Sequence, residues 1–247
     1  GQNTGLNFGT TPPTALTNGQ LNTLEGCTTI SDATGALLFY TDGRSVWDRN
    51  GNLMPNANYN AGSGLLGDPS STSSALIVPQ PNTPDRYFIF AVDEPHHLNA
   101  ATYPNQNTGF SPNEDDGFNN GFTYSVVDMN LNGGLGDVVT GEKNIELTTY
   151  NPASTAESSY KCSEKITAVK SDDCDAFWVI THFIDRFYAF RVDQTGVDPN
   201  PVISQVGVTV PISGYRRNAL GYMKASPEGD KIAVAHFGFA TTEGGDG

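Results

Sequence analysis

Apolar residues along this chain fall in short runs bounded by Asp, Asn, Gly, Pro and Ser, and seldom at the spacing of a helix face. The runs come in pairs. An apolar segment, a polar turn and a second, more apolar segment recur four times. The first pair is Cys27-Thr-Thr-Ile30 and Ala36-Leu-Leu-Phe-Tyr-Thr41, across Ser31-Asp-Ala-Thr-Gly35. The second is Ala75-Leu-Ile-Val78 and Tyr87-Phe-Ile-Phe-Ala-Val92, and the third is Ile166-Thr-Ala-Val169 and Phe177-Trp-Val-Ile-Thr181. The fourth is Tyr222-Met-Lys-Ala225 and Ile232-Ala-Val-Ala235, across Ser226-Pro-Glu-Gly-Asp230. The second member of each pair lacks strict alternation, which predicts strands buried on both faces. Pro, Gly and Asn interrupt nearly every window long enough for a helix.

Further strand candidates follow each pair: Ser45 to Trp47 and Leu53 to Met54, Phe122 to Val127 and Asn144 to Leu147, Phe187 to Val192 and Val202 to Val206. Four short strands per unit, repeated at roughly 40 to 50 residues, predict blades of a β-propeller. Leu6 to Phe8 and Thr14 to Leu16 read as the last two strands of a blade, and Tyr222 to Phe237 as the first two of another. The expected fold is therefore all-β, a β-propeller of four-stranded antiparallel blades, truncated from a larger ring, with about four to five blades represented. One region spans 1–247, with an inserted loop at 94–121 rich in Asn, Asp, Gly and Pro. A sandwich or a partly open β-solenoid fits the same strand count.

Charge narrows the partners. Acidic residues outnumber basic ones 27 to 13, for a net charge of −14, and the few Lys and Arg are scattered, so nucleic acid is not expected. No apolar run reaches the ~18 to 20 residues of a membrane helix, so insertion is not expected either. Cys27, Cys162 and Cys174 are odd in number and irregular in spacing, unlike a disulfide scaffold or a CxxC metal site. Cys162 and Cys174 flank a strand and stand at opposite ends of it. Three free thiols are expected, with Cys27 buried as a small apolar residue and Cys174 the most exposed.

Candidate chemistry sits where the second strand of each pair ends. Asp42, Asp93, His182 and His236 occupy that place, and the first strands begin beside Glu25, Ser74, Glu164 and Gly221. These positions share one face in a propeller, and the 94–121 loop hangs from it, so Glu25, Asp42, Asp93, Glu164, His182 and His236 are the candidate ligand-binding residues. The alternative is that the Asp and His side chains cap turns by bonding backbone amides. His96-His97, with Glu94 and Glu114-Asp115-Asp116, lacks the helical spacing of zinc histidines. Asp128-Met-Asn-Leu-Asn-Gly133 opens like a calcium loop but has Val139 in place of the bidentate Glu. No cofactor is expected, calcium being the one ion whose ligand preferences these loops approach. Neither a G-x-S-x-G elbow nor a phosphate loop occurs, and no catalytic residues are assigned.

Several segments carry a resemblance: Gly5-Leu-Asn-Phe8, Glu25-Gly-Cys-Thr-Thr-Ile-Ser-Asp32, Leu38-Phe-Tyr-Thr-Asp-Gly43, Tyr124-Ser-Val-Val-Asp-Met129, Glu164-Lys-Ile-Thr-Ala-Val169, Trp178-Val-Ile-Thr-His182 and Gly221-Tyr-Met-Lys-Ala-Ser-Pro227. Together they resemble the N-terminal propeller region of large Bacteroidetes surface proteins that end in a gliding-motility-associated, type IX secretion sorting domain. The resemblance implies export to the cell surface or beyond, and further blades after Gly247. It supplies no catalytic residues. The expected function is non-catalytic recognition or adhesion, with a glycan or protein partner at the cell exterior. A polysaccharide hydrolase using Glu25, Asp42, Asp93 and Glu164, and a structural subunit of a surface fibre, are the alternatives.

Overall fold

The computed structural model describes residues 3–95, 119–173, 175–212 and 218–237. Strands dominate it, and every pairing among the described residues is antiparallel. A hairpin of β1 (Gly5–Asn7) and β2 (Thr14–Leu16) comes first. The first larger sheet joins β3 (Thr28–Ser31), β4 (Leu37–Thr41) and β5 (Val46–Asp48) in chain order. The second runs β6 (Ala75–Pro79), β7 (Arg86–Val92), β8 (Phe122–Asp128), with the short β9 (Asp137–Val138) and β10 (Ile145–Leu147) both on β8. The third repeats this plan with β11 (Ile166–Lys170), β12 (Phe177–Phe183) and β13 (Arg186–Asp193), where β14 (Gly196–Val197) and β15 (Val202–Gln205) pair with β13. A last hairpin pairs β16 (Gly221–Ala225) with β17 (Ile232–His236).

Burial explains why the central strands do not alternate apolar with polar. In β7, Phe88, Phe90 and Val92 face the third sheet, meeting Val179, Phe183, Phe190 and Val192 in one buried cluster. The intervening Ile89 faces the other way, into a second cluster with Ala75, Ile77 and Val127 of its own sheet and Leu38, Phe39 and Val46 of the first. The second sheet is thus covered on both sides, and its residues are apolar at both parities. Phe122 against Phe190 (ring centroids 5.7 Å apart) and Phe39 edge-on to Tyr87 (5.5 Å) mark the two interfaces. The first strands of consecutive sheets are neighbours: β3 lies beside β6, β6 beside β11 and β11 beside β16.

Short helical turns among the described residues depart from the expected all-strand reading, the longest of those lying wholly within the described residues being a six-residue helix. Helix α1 (Thr155–Tyr160) begins at Ser154, whose Oγ accepts from the Glu157 amide at 3.3 Å. Glu157 reaches back to the Asn151 amide and out to Arg186. This Ser-x-x-Glu cap nucleates a turn that strand patterning ignores. Leu53 forms only an isolated bridge with Trp47 instead of a strand.

The cysteines correct one expectation. Cys27 is exposed, whereas Cys162 is fully buried with its thiol directed at the Asp93 carbonyl. The cause lies in β3, which is half-buried at alternate residues only. Both thiols are free; Cys174 lies outside the described residues. No described helix is long and apolar enough to cross a membrane.

Candidate functional site

The starts of the first strands converge through one loop, residues 68–74, which leads into β6. On one side it receives the chain entering β3: Glu25 N–H donates to the Pro69 carbonyl and Gly26 N–H to the Ser71 carbonyl, each at 3.1 Å. Gly26 is required by that approach, because a Cβ there would lie 2.6 Å from the Ser74 amide nitrogen. On the other side the loop binds the chain entering β11. Thr72 donates to Glu164 Oε2 from both its amide (2.7 Å) and its hydroxyl (2.6 Å).

Four carboxyl groups surround this loop. Glu25 is exposed and Glu94 half-buried, whereas Asp68 and Glu164 are buried. Ser70 Oγ bonds both Asp68 and Glu94, and the Thr72 hydroxyl donates to Glu164 Oε2, with Glu25 near enough for Thr72 and Glu94 to act on its carboxyl. Burial pushes the Glu164 carboxyl up to about 8 against the pull of the Thr72 hydrogen bonds, with Glu94 and Glu25 adding repulsion. Burial likewise lifts Asp68 to about 7, its Ser70 bonds opposing and Glu94 reinforcing the rise. Glu25 is raised by partial burial and by Glu94. Glu164 Oε1 is buried with no hydrogen-bond partner.

A second polar group lies on the other side of Glu164. Lys165 is fully buried and its Nζ donates to the carbonyls of Asn218 (3.2 Å) and Ala219 (2.8 Å). Burial holds this amine down to about 8. His182 and His236 meet edge to face with ring centroids 5.3 Å apart. Burial, His236 and Lys165 together keep the His182 imidazole down at about 4, so it is neutral at physiological pH, and burial lowers His236 too.

The six residues singled out from sequence therefore divide three ways. Glu25 and Glu164 are both tied to the 68–74 loop, Glu25 by its amide to Pro69 and Glu164 by its carboxyl to Thr72, and His182 and His236 come together on each other. Asp42 and Asp93 do neither. Asp42 is buried and accepts from the amides of Arg44 (2.9 Å) and Ser45 (2.8 Å), closing the β4–β5 turn. Asp93 is buried and accepts from the amides of Glu94 (2.9 Å) and Asn120 (2.5 Å), clamping the two ends of the 94–121 insertion. Sequence reasoning overlooked Asp68, Ser70, Thr72 and Lys165. The signal was present in Asp68-Pro-Ser-Ser-Thr-Ser-Ser74, a run of small hydroxyls directly before a buried strand.

Among the described residues no group of three or more His, Cys, Asp or Glu is placed to hold a metal ion. Asp128 Oδ1 instead bonds the amide and side chain of Asn130 within its own turn. His96, His97 and residues 114–116 lie outside the described residues. No family model, curated protein or solved structure matches the chain.

Proposed function

We propose that this chain is a recognition or adhesion module of a secreted or cell-surface protein, its sheets being consecutive blades of a β-propeller region. Its partner, a glycan or a protein, is held at the face where β3, β6, β11 and β16 begin. The observation that carries the reading is the adjacency of those four first strands, three of which are tied together at their starts through the 68–74 loop. A radial array puts its first strands next to one another, and the ends of such strands form a rigid rim for ligands. The resemblance to Bacteroidetes surface proteins supports the exterior location.

A carboxylate hydrolase is the second reading, favoured by Glu25 and Glu164 acting on one another electrostatically beside Thr72 while burial sets Glu164 apart. Complete burial of Glu164 weighs against it, since a general acid must touch the bond it protonates. Arrays of surface polysaccharides and matrix proteins, with parallel assay of reducing ends, test both readings. Saturable binding without sugar release is expected. Absence of binding across the arrays, or steady release of reducing ends, contradicts the recognition reading.

A further inference from the structure

We propose that His182 and His236 form an acid-sensitive latch: as neutral rings they seat the β16–β17 hairpin on the third sheet, and once protonated beside the Lys165 ammonium they release it. The inference does not rest on the recognition reading, and it concerns what holds one end of the array in place.

Strand register brings three basic side chains to one seam. Lys165 stands directly before β11, whose Ile166 pairs with Thr181 of β12, so the next step of that ladder sets Lys165 opposite His182. The Lys165 stem also reaches the hairpin. A Cβ on Gly221 would lie 2.7 Å from Lys165 Cε, and Gly221 is the register partner of His236. The two imidazoles close the seam with ring centroids 5.3 Å apart, and His182 meets Phe187 edge-on at 4.7 Å. Little else is buried there: in β16 and β17 the single buried residue is Met223. The polar ties are the Ala225 amide on Thr167 Oγ1 (3.3 Å), the Glu164 amide on the Ala219 carbonyl (3.2 Å), and Lys165 Nζ on the Asn218 and Ala219 carbonyls. An element with so few buried apolar contacts opens at a small fraction of the global stability, so added charge at its seam decides whether it stays seated.

The charges around the pair favour release in acid. Among the described residues Lys165 acts on both imidazoles, and Asp185, in the β12–β13 turn, acts on His182. Glu164 and Cys162 act on Lys165 in turn. On the hairpin, Lys224 is exposed in β16, and Glu228, Asp230 and Lys231 lie at the far turn. Burial holds Glu164 up at about 8, so in the acid range its carboxyl is neutral and offers no counterion. That carboxyl is held by Thr72, not by the hairpin. Protonating both rings therefore sets three positive charges at one seam against the single carboxylate of Asp185. Burial first, then His236 and Lys165, hold His182 down at about 4, and burial and Lys165 lower His236. Opening returns the rings to water and to their ordinary proton affinity, so seating is complete above pH 6.5 and is lost as pH falls toward 4.

Amide hydrogen exchange of the whole chain, followed from about pH 7.5 to about pH 5 with each rate divided by its intrinsic value, reads the opening directly. Opening of Gly221–Ala225 and Ile232–His236 is expected to rise roughly thirtyfold over that interval, the effect of one imidazole lowered from 6.5 to about 4. Arg86–Val92, at the centre of the second sheet, should keep its protection. His182→Gln keeps a hydrogen-bonding side chain that does not titrate, and it should remove most of the rise. Should His182→Gln fail to fold, His236→Gln carries the test, because His236 is only half-buried, and a several-fold smaller rise is expected. Opening of the hairpin that does not change with pH, an equal rise in Arg86–Val92, or an unaltered rise in either folded variant overturns the proposal.

Discussion

At the residue scale, buried titratable groups make opposing claims on stability. Glu164 is raised from 4.5 to about 8 and Asp68 from 3.8 to about 7 in the folded chain. A carboxyl raised on folding contributes stability that is complete below its ordinary value and is lost as pH rises through the raised one. His182, lowered from 6.5 to about 4, does the reverse: its contribution is present above 6.5 and lost as pH falls toward 4. Glu164→Gln should therefore flatten the loss of stability between pH 4.5 and about 8, by up to about 1.4 kcal/mol per pH unit. Urea unfolding at stepped pH reads this directly, and unchanged slopes would refute it. Asp93 makes a different claim, since Asp93→Ala leaves the Asn120 amide without its carboxylate. A loss of about 1 to 3 kcal/mol is expected, with faster exchange of the Asn120 N–H.

At the element scale, the four strand pairs were legible because each combines an apolar run with a turn that only a few residues can make. Asp32, for example, accepts from the amides of Thr34 and Ala36, fixing the β3–β4 turn. Helix α1 went unread because its Ser-x-x-Glu cap is a signal of single residues, invisible to a search for periodicity. The candidate site was half legible for a related reason. Strand ends locate Glu25, Glu164, His182 and His236, but Thr72 joins its partner across 92 residues of chain, and no local pattern predicts that distance. At the start of β16, Gly221 has φ 137°, and a Cβ would fall 2.1 Å from the Ala235 carbonyl oxygen and 2.7 Å from Lys165 Cε. Gly221→Ala should cost several kcal/mol or prevent folding, because the nearest obstacle is backbone of the paired strand. Thermal unfolding equal to that of the parent chain would contradict this.

At the scale of the whole molecule, the arrangement separates two ends of the sheets. One end carries the 68–74 loop, Glu25, Glu164, Lys165 and the paired histidines; the other carries the turns at 32–35, 80–85, 171–173 and 226–230. Packing required both faces of the second sheet to be apolar, which leaves strand ends as the places where polar residues gather. The decisive measurement is amide hydrogen exchange of the chain with and without a partner selected from the arrays. Protection confined to residues 24–27, 68–74, 93–95 and 162–165 is the result predicted by the recognition account. Protection centred on the turns at 32–35, 80–85 and 226–230, with the 68–74 loop unchanged, would contradict it.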